Sequence, residues 1–175
     1  AFGLRPDGPQ PRVEFADDPD EMERIWAARR QAADAIKAWD ESRTPLTVGD
    51  VTVPIGSFPE MVRSIQSIGA DHGFDVPAFG HAGDGNVHYA VLVDPDDPDE
   101  VARGKEASDR IVERALELKG TSTGEHGVGL GKRGYMKREH GAATVRAMQA
   151  VKQALDPNGT LNPRSGLPVP GDAER

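Results

Sequence analysis

Residues 76–93 read VPAFGHAGDGNVHYAVLV, and the way this stretch folds decides most of what surrounds it. Val76–Gly80 and Val87–Val93 are short apolar runs suited to strands, and the Ala82-Gly-Asp-Gly-Asn86 segment between them is turn-forming. In one continuous strand His81 and His88, seven residues apart, would point to opposite faces. A turn at 82–86 instead folds the chain back on itself and lets the two imidazoles converge. Working outward, further strands are expected at 12–16 (RVEFA) and 50–54 (DVTVP).

Four helical patterns flank these strands. The first opens at Asp18-Pro-Asp-Glu21, a cap followed by proline and first-turn acids, and its stripe is Met22, Trp26, Arg29, Ala33 and Ile36. The second follows Ser57, with Glu60 three residues on as a capping box, and carries Phe58, Met61, Ile65 and Ile68. The third opens at Asp97-Pro-Asp-Glu100 and carries Val101, Ile111, Ala115 and Leu118. The fourth carries Val145, Met148, Val151 and Leu155 and stops at Asp156-Pro-Asn-Gly159. Helices and strands alternate, but they are too few for a doubly wound sheet. The expected fold class is therefore α+β, an antiparallel sheet with helices packed on one face. Residues 1–11 read as a loose lead-in, 12–167 as the folded domain and 168–175 as a tail.

Composition narrows the function. The 175 residues contain no cysteine, which excludes disulfide scaffolds, iron–sulfur clusters and Cys-ligated zinc. A net charge of −8 argues against a nucleic-acid partner, because no cationic surplus exists to displace counterions. No apolar run approaches a membrane span, and the expected location is cytoplasmic. The acidic runs at 17–21 and 94–100 are helix caps, since EF-hand spacing is absent.

Chemistry concentrates in two glycine-rich segments, Phe79–Tyr89 and Gly120–Lys132 (GTSTGEHGVGLGK). Two converging imidazoles plus a carboxylate make a three-ligand open metal site of the His₂Glu kind. Glu125 is the leading third ligand and Asp84 competes with it; ordinary loop hydrogen bonding by the histidines is the alternative. His126, next to Glu125, faces another way and suits a proton acceptor, because imidazole titrates near working pH. Arg29 lies on an apolar stripe, where a guanidinium is costly unless it meets an anion such as a substrate carboxylate or snorkels to water. Gly129-Leu-Gly-Lys-Arg-Gly134 matches a dinucleotide fingerprint only formally, since no strand precedes it. No Walker loop and no GxSxG occur.

GHAGDGNVH at 80–88, GTSTGEHGVGLGKRGYM at 120–136 and ALDPNGTLNP at 154–163 together resemble the C-terminal domain of FAD-linked oxidases. That group includes glycolate oxidase, D-lactate dehydrogenase and D-2-hydroxyglutarate dehydrogenase. The resemblance implies a ferredoxin-like arrangement and the oxidation of a D-2-hydroxy acid to its 2-oxo acid, with hydride passing to FAD. It implies a divalent metal, usually zinc, on His81, His88 and Glu125, with His126 as base and Arg29 on the substrate carboxylate. Asn162, Asn86 and His126 would lie beside the flavin. Two departures stand out. The family's LNPGK is Leu161-Asn-Pro-Arg-Ser165 here, and Val48 stands where some relatives specific for 2-hydroxyglutarate have lysine, which speaks against a five-carbon diacid. On this reading the chain is the C-terminal portion of a longer flavoenzyme, inactive alone, whose partners are its own FAD-binding domain and an unassigned electron acceptor, the one link that would make it peripheral to a membrane, with a homodimer left open. The rival functions are a metal-dependent hydrolase or lyase and a non-catalytic binding module.

Overall fold

The computed structural model describes residues 14–38, 40, 42–163 and 166–168. Two helices come first, α1 (Pro19–Arg30) and the short α2 (Ala32–Lys37). The central unit follows: β1 (Thr44–Thr52), α3 (Phe58–Asp71), β2 (Ala78–His81), β3 (Asn86–Val93) and α4 (Pro98–Glu117). Helix α5 (Met136–Leu155) is the last regular element of the described residues. The fold is α+β. The sheet order is β1-β3-β2, and β3 pairs antiparallel with both neighbours. That connectivity is the split βαβ of a ferredoxin-like unit. After α4, Thr121 makes a single antiparallel bridge to Thr52 on the outer edge of β1, where a fourth strand would run.

The two faces of the sheet differ in kind. Val51, Val87, Tyr89, Val91 and Val93 point to one face and pack with Met61 and Ile65 of α3 and Ala107, Ile111 and Ala115 of α4. Period-2 alternation of the strands meets the 3.6-residue stripes of the two helices there, and this is the core. Glycine is required at position 49, because a Cβ would sit 2.0 Å from the Tyr89 ring. The alternate residues of β3 (Asn86, His88, Ala90 and Leu92) are also buried, but on the opposite face. Among the described residues, Ile36 of α2 and Phe79 of β2 pack apolar surface there, against Ala90 and Leu92. A central strand that buries an asparagine and a histidine on its second face marks that face as polar and special.

Several expectations need correction. The first helical stripe is broken at Gln31 into α1 and α2, and α1 buries no residue: Met22 and Trp26 are 45% and 52% exposed. Of the strand expected at 12–16, residues 12 and 13 lie outside the described residues, and 14–16 form no strand, with Phe15 exposed. The capping box at Ser57 does not form. Ser57 ends a 3₁₀ turn in the αR region (φ −94°, ψ −5°), where its hydroxyl cannot reach the helix N–H groups, and Glu60 pairs with Arg114 instead. In α5 the helix starts nine residues before Val145, is kinked at Gly141 (φ 79°), and leaves Val151 and Leu155 exposed. By contrast, α1 and α4 start where expected, with Asp18 and Asp97 accepting from the first-turn amides. Among the described residues no helix is long and apolar enough to cross a membrane.

Candidate functional site

The second sheet face gathers most of the residues of interest through register alone. His81 pairs with Asn86 and Phe79 with His88 across the β2–β3 hairpin, while Asp50 pairs with His88 and Thr52 with Asn86 across β1–β3. Paired residues share a face, so Asp50, Phe79, His81, Asn86 and His88 all project to the side away from the core. His88 is the centre. Its ring centroid lies 5.1 Å from that of Phe79, 5.6 Å from His81 in an edge-on contact, and 5.3 Å from His126 in a stacked one.

The loop after α4 supplies the rest. Asp50, fully buried on β1, accepts through Oδ2 from the backbone N–H of Gly124 (2.9 Å), Glu125 (2.9 Å) and His126 (2.8 Å), and from the Thr123 hydroxyl (3.0 Å). Three successive amides converging on one oxygen form an anion nest. Burial alone would raise the Asp50 carboxyl, but the amides of His126 and Glu125, the Thr123 hydroxyl and the Lys132 ammonium outweigh it and hold it down at about 2. Lys132 donates to the Asp50 backbone carbonyl, and its own value is lowered by burial against the pull of Asp50 and Glu139. Gly124 lets the loop approach: a Cβ there would lie 2.3 Å from Asn86 Nδ2 and 2.7 Å from Asp50 Oδ1.

His81, His88 and Glu125 each direct one ligand atom into a shared space, all within 4.8 Å of one another; Asp50, His88 and His126 make a second such group. His88 Nε2 stands 3.1 Å from Glu125 Oε1 without hydrogen-bonding alignment. Both His88 ring nitrogens are buried and have no hydrogen-bond partner among the described residues. Burial lowers the His88 value, reinforced by His126 and His81 and opposed by Asp50 and Glu125, which favours the neutral ring, the form that ligates metal. Two imidazoles and a carboxylate fit a divalent ion of the zinc type. Asp84, the competing ligand, stays in the exposed hairpin turn and belongs to neither group.

Arg29, although on a helix that buries nothing, reaches this face: its guanidinium carbon lies 5.0 Å from the Phe79 ring centroid, and its Nε is buried without a hydrogen-bond partner among the described residues. His126 is half exposed, with Nδ1 3.9 Å from Asp50 Oδ2 and Nε2 4.0 Å from Glu125 Oε1. Asn86 is buried with Oδ1 unpartnered among the described residues. Asn162 is presented separately, exposed at φ 45° in the turn after α5. Sequence reasoning did not assign roles to Asp50, Phe79 or Lys132. An acid inside the apolar alternation of 46–53 was the one signal available for Asp50.

Residues 7–165 match the family described as FAD linked oxidases, C-terminal domain. The chain belongs to that family. It is 37% identical over 149 residues to a probable mitochondrial D-lactate dehydrogenase of Danio rerio, covering 85% of this chain and 30% of that protein. Against the mitochondrial D-lactate dehydrogenase (cytochrome) 1 of Saccharomyces cerevisiae the identity is 39% over 154 residues, covering 86% and 26%. Against the glycolate oxidase subunit GlcD of Bacillus subtilis it is 39% over 152 residues, covering 86% and 32%. This FAD-linked oxidase domain thus spans about 30% of the length of these curated relatives. Its second sheet face carries the histidine motif, and its anion nest carries the Glu125-His126 motif.

Proposed function

We propose that this domain forms the metal- and substrate-binding part of a flavin-dependent dehydrogenase or oxidase that converts a D-2-hydroxy acid to its 2-oxo acid. The observation that carries the proposal is His88, buried with two unpartnered ring nitrogens, one of them sharing a space with donors of His81 and Glu125. His81, His88 and Glu125 would hold a divalent ion, with zinc the best match to the donor set. When bound, the ion would supply Lewis acidity that makes the substrate hydroxyl easier to deprotonate, and the flavin would supply a hydride acceptor.

The chain's own residues do the remaining work. Arg29, its guanidinium held over the Phe79 ring, takes the substrate carboxylate; a planar fork suits that anion better than an ammonium would. His126, half exposed beside the nest, would receive the hydroxyl proton as the C–O bond becomes a carbonyl and the C–H electron pair passes as hydride to the flavin. Asp50, buried below, stabilises the imidazolium so formed. Asn86, His126 and Asn162 offer polar contacts to the flavin. An electron acceptor outside this chain would then reoxidise it. The apolar, half-exposed Val48, on the same face as Asp50, favours a small uncharged substrate side chain over a second carboxylate.

Anaerobic mixing of the flavin-bearing protein with D-lactate or D-glycerate tests the reading. Flavin bleaching is expected, slowed by about 10²-fold or more in His126→Ala. Metal binding without flavin reduction by any 2-hydroxy acid would favour a hydrolase or lyase on the same site.

A further inference from the structure

The Asp50 carboxylate has two oxygens with different surroundings. Oδ2 takes four donors from the Thr123–His126 loop. Oδ1 is buried without a hydrogen-bond partner among the described residues, and His88 Nδ1, also buried and unpartnered, stands 3.9 Å away. On the other side of the ring, His88 Nε2 is 3.1 Å from Glu125 Oε1. A neutral imidazole has one N–H to share between these two carboxylates. Glu125 is 54% exposed and water solvates it; Asp50 is fully enclosed. An acceptor left unsatisfied costs far more in the second setting. The separation of 3.9 Å is roughly an ångström beyond hydrogen-bond length, so the pair is an electrostatic contact, one that an N–H facing Oδ1 satisfies and a lone pair facing it does not.

We propose that Asp50 is the positioning residue of this site: Oδ2 pins the loop bearing Glu125 and His126, and Oδ1 fixes His88 as the Nδ1–H tautomer, leaving the Nε2 lone pair directed at His81 and Glu125. One acid on β1 thereby sets the orientation of one candidate ligand and the placement of another. The tautomer assignment stands on the geometry of the chain itself, and only its consequence for metal affinity rests on the function proposed above.

Asp50→Asn separates the two oxygens. The carboxamide has the same shape, and three amide donors hold its oxygen in the nest. Its NH₂ then faces His88 Nδ1 as a donor, which reverses the polarity of that contact and moves the ring proton to Nε2. Long-range ¹⁵N–¹H spectra of the histidine-labelled, metal-free chain read the tautomer directly. The expected result is Nδ1–H for His88 in the unsubstituted chain and Nε2–H in Asp50→Asn. Zinc affinity, measured by competition with a chromophoric chelator, is expected to fall about 10- to 100-fold in the variant. Asp50→Ala should lose zinc as well and also shift the amide resonances of Gly124–His126, because the nest has lost its anion. Nε2–H in the unsubstituted chain would overturn the proposal, even if Asp50→Asn failed to fold. So would an Asn variant that binds zinc as tightly as the parent. The expected tautomers with no zinc bound by either chain would uphold Asp50 as the tautomer-setting residue and refute the metal reading instead.

Discussion

Asp156 does for the turn after α5 what Asp50 does for the loop after α4. Its Oδ1 accepts from the Thr160 amide (2.9 Å) and hydroxyl (3.2 Å), and its Oδ2 accepts from the Leu161 amide (3.0 Å) and from Lys152. The Lys152 ammonium, followed by the Leu161 and Thr160 amides, holds the carboxyl at about 2 against the cost of burial. A depressed carboxyl contributes stability above its unfolded value and loses it as pH falls through the folded one. The stability gap between the unsubstituted chain and Asp156→Asn should therefore shrink as pH falls from about 4 toward 2. Urea unfolding at each pH measures it, and a gap that stayed constant would contradict the assignment. Neither acid announces its role in sequence. Their partners are mostly backbone amides, which every non-proline residue owns, and for Asp50 those amides lie more than 70 positions away. Arg29 was legible because a guanidinium on an apolar stripe is an anomaly in its own segment. Phe79, which supports it, looks like any other strand aromatic.

At the scale of elements, the β2–β3 hairpin carries the site. Its turn ends at Gly85, where φ is +73° and a Cβ would lie 2.0 Å from the Val53 carbonyl oxygen. Val53 N–H in turn donates to Gly85 O, so the turn is tied to the end of β1. Gly85→Ala should cost roughly 2 kcal/mol or more, combining left-handed strain with a backbone clash. A urea midpoint unchanged from the parent would show that the turn relaxes freely. The hairpin was readable because its evidence is local: two apolar runs, a glycine-rich turn and an odd histidine offset. The starts of α1 and α4 were readable for the same reason, from Asp-Pro-Asp-Glu. The stripe of α1 was over-read, since periodicity shows which side of a helix is apolar and not whether anything covers it. The Ser57 capping box failed because the motif also requires an extended cap residue, and the preceding 3₁₀ turn forbids that.

Across the whole molecule, the sheet divides the labour. One face, under α3 and α4, is a closed apolar core that needs no ligand. The other holds an acid, two histidines and an asparagine on strands, with Ile36 and Phe79 as apolar cover among the described residues. The function proposed above depends on this second face binding one divalent ion through His81, His88 and Glu125. Plasma mass spectrometry on the zinc-loaded, desalted chain tests that most directly, beside a His81→Ala/His88→Ala variant whose retained fold is checked by circular dichroism. About one zinc per chain is expected, lost from the variant, following the donor count of a His₂Glu site. Equal zinc in both proteins, or none in either, would contradict it.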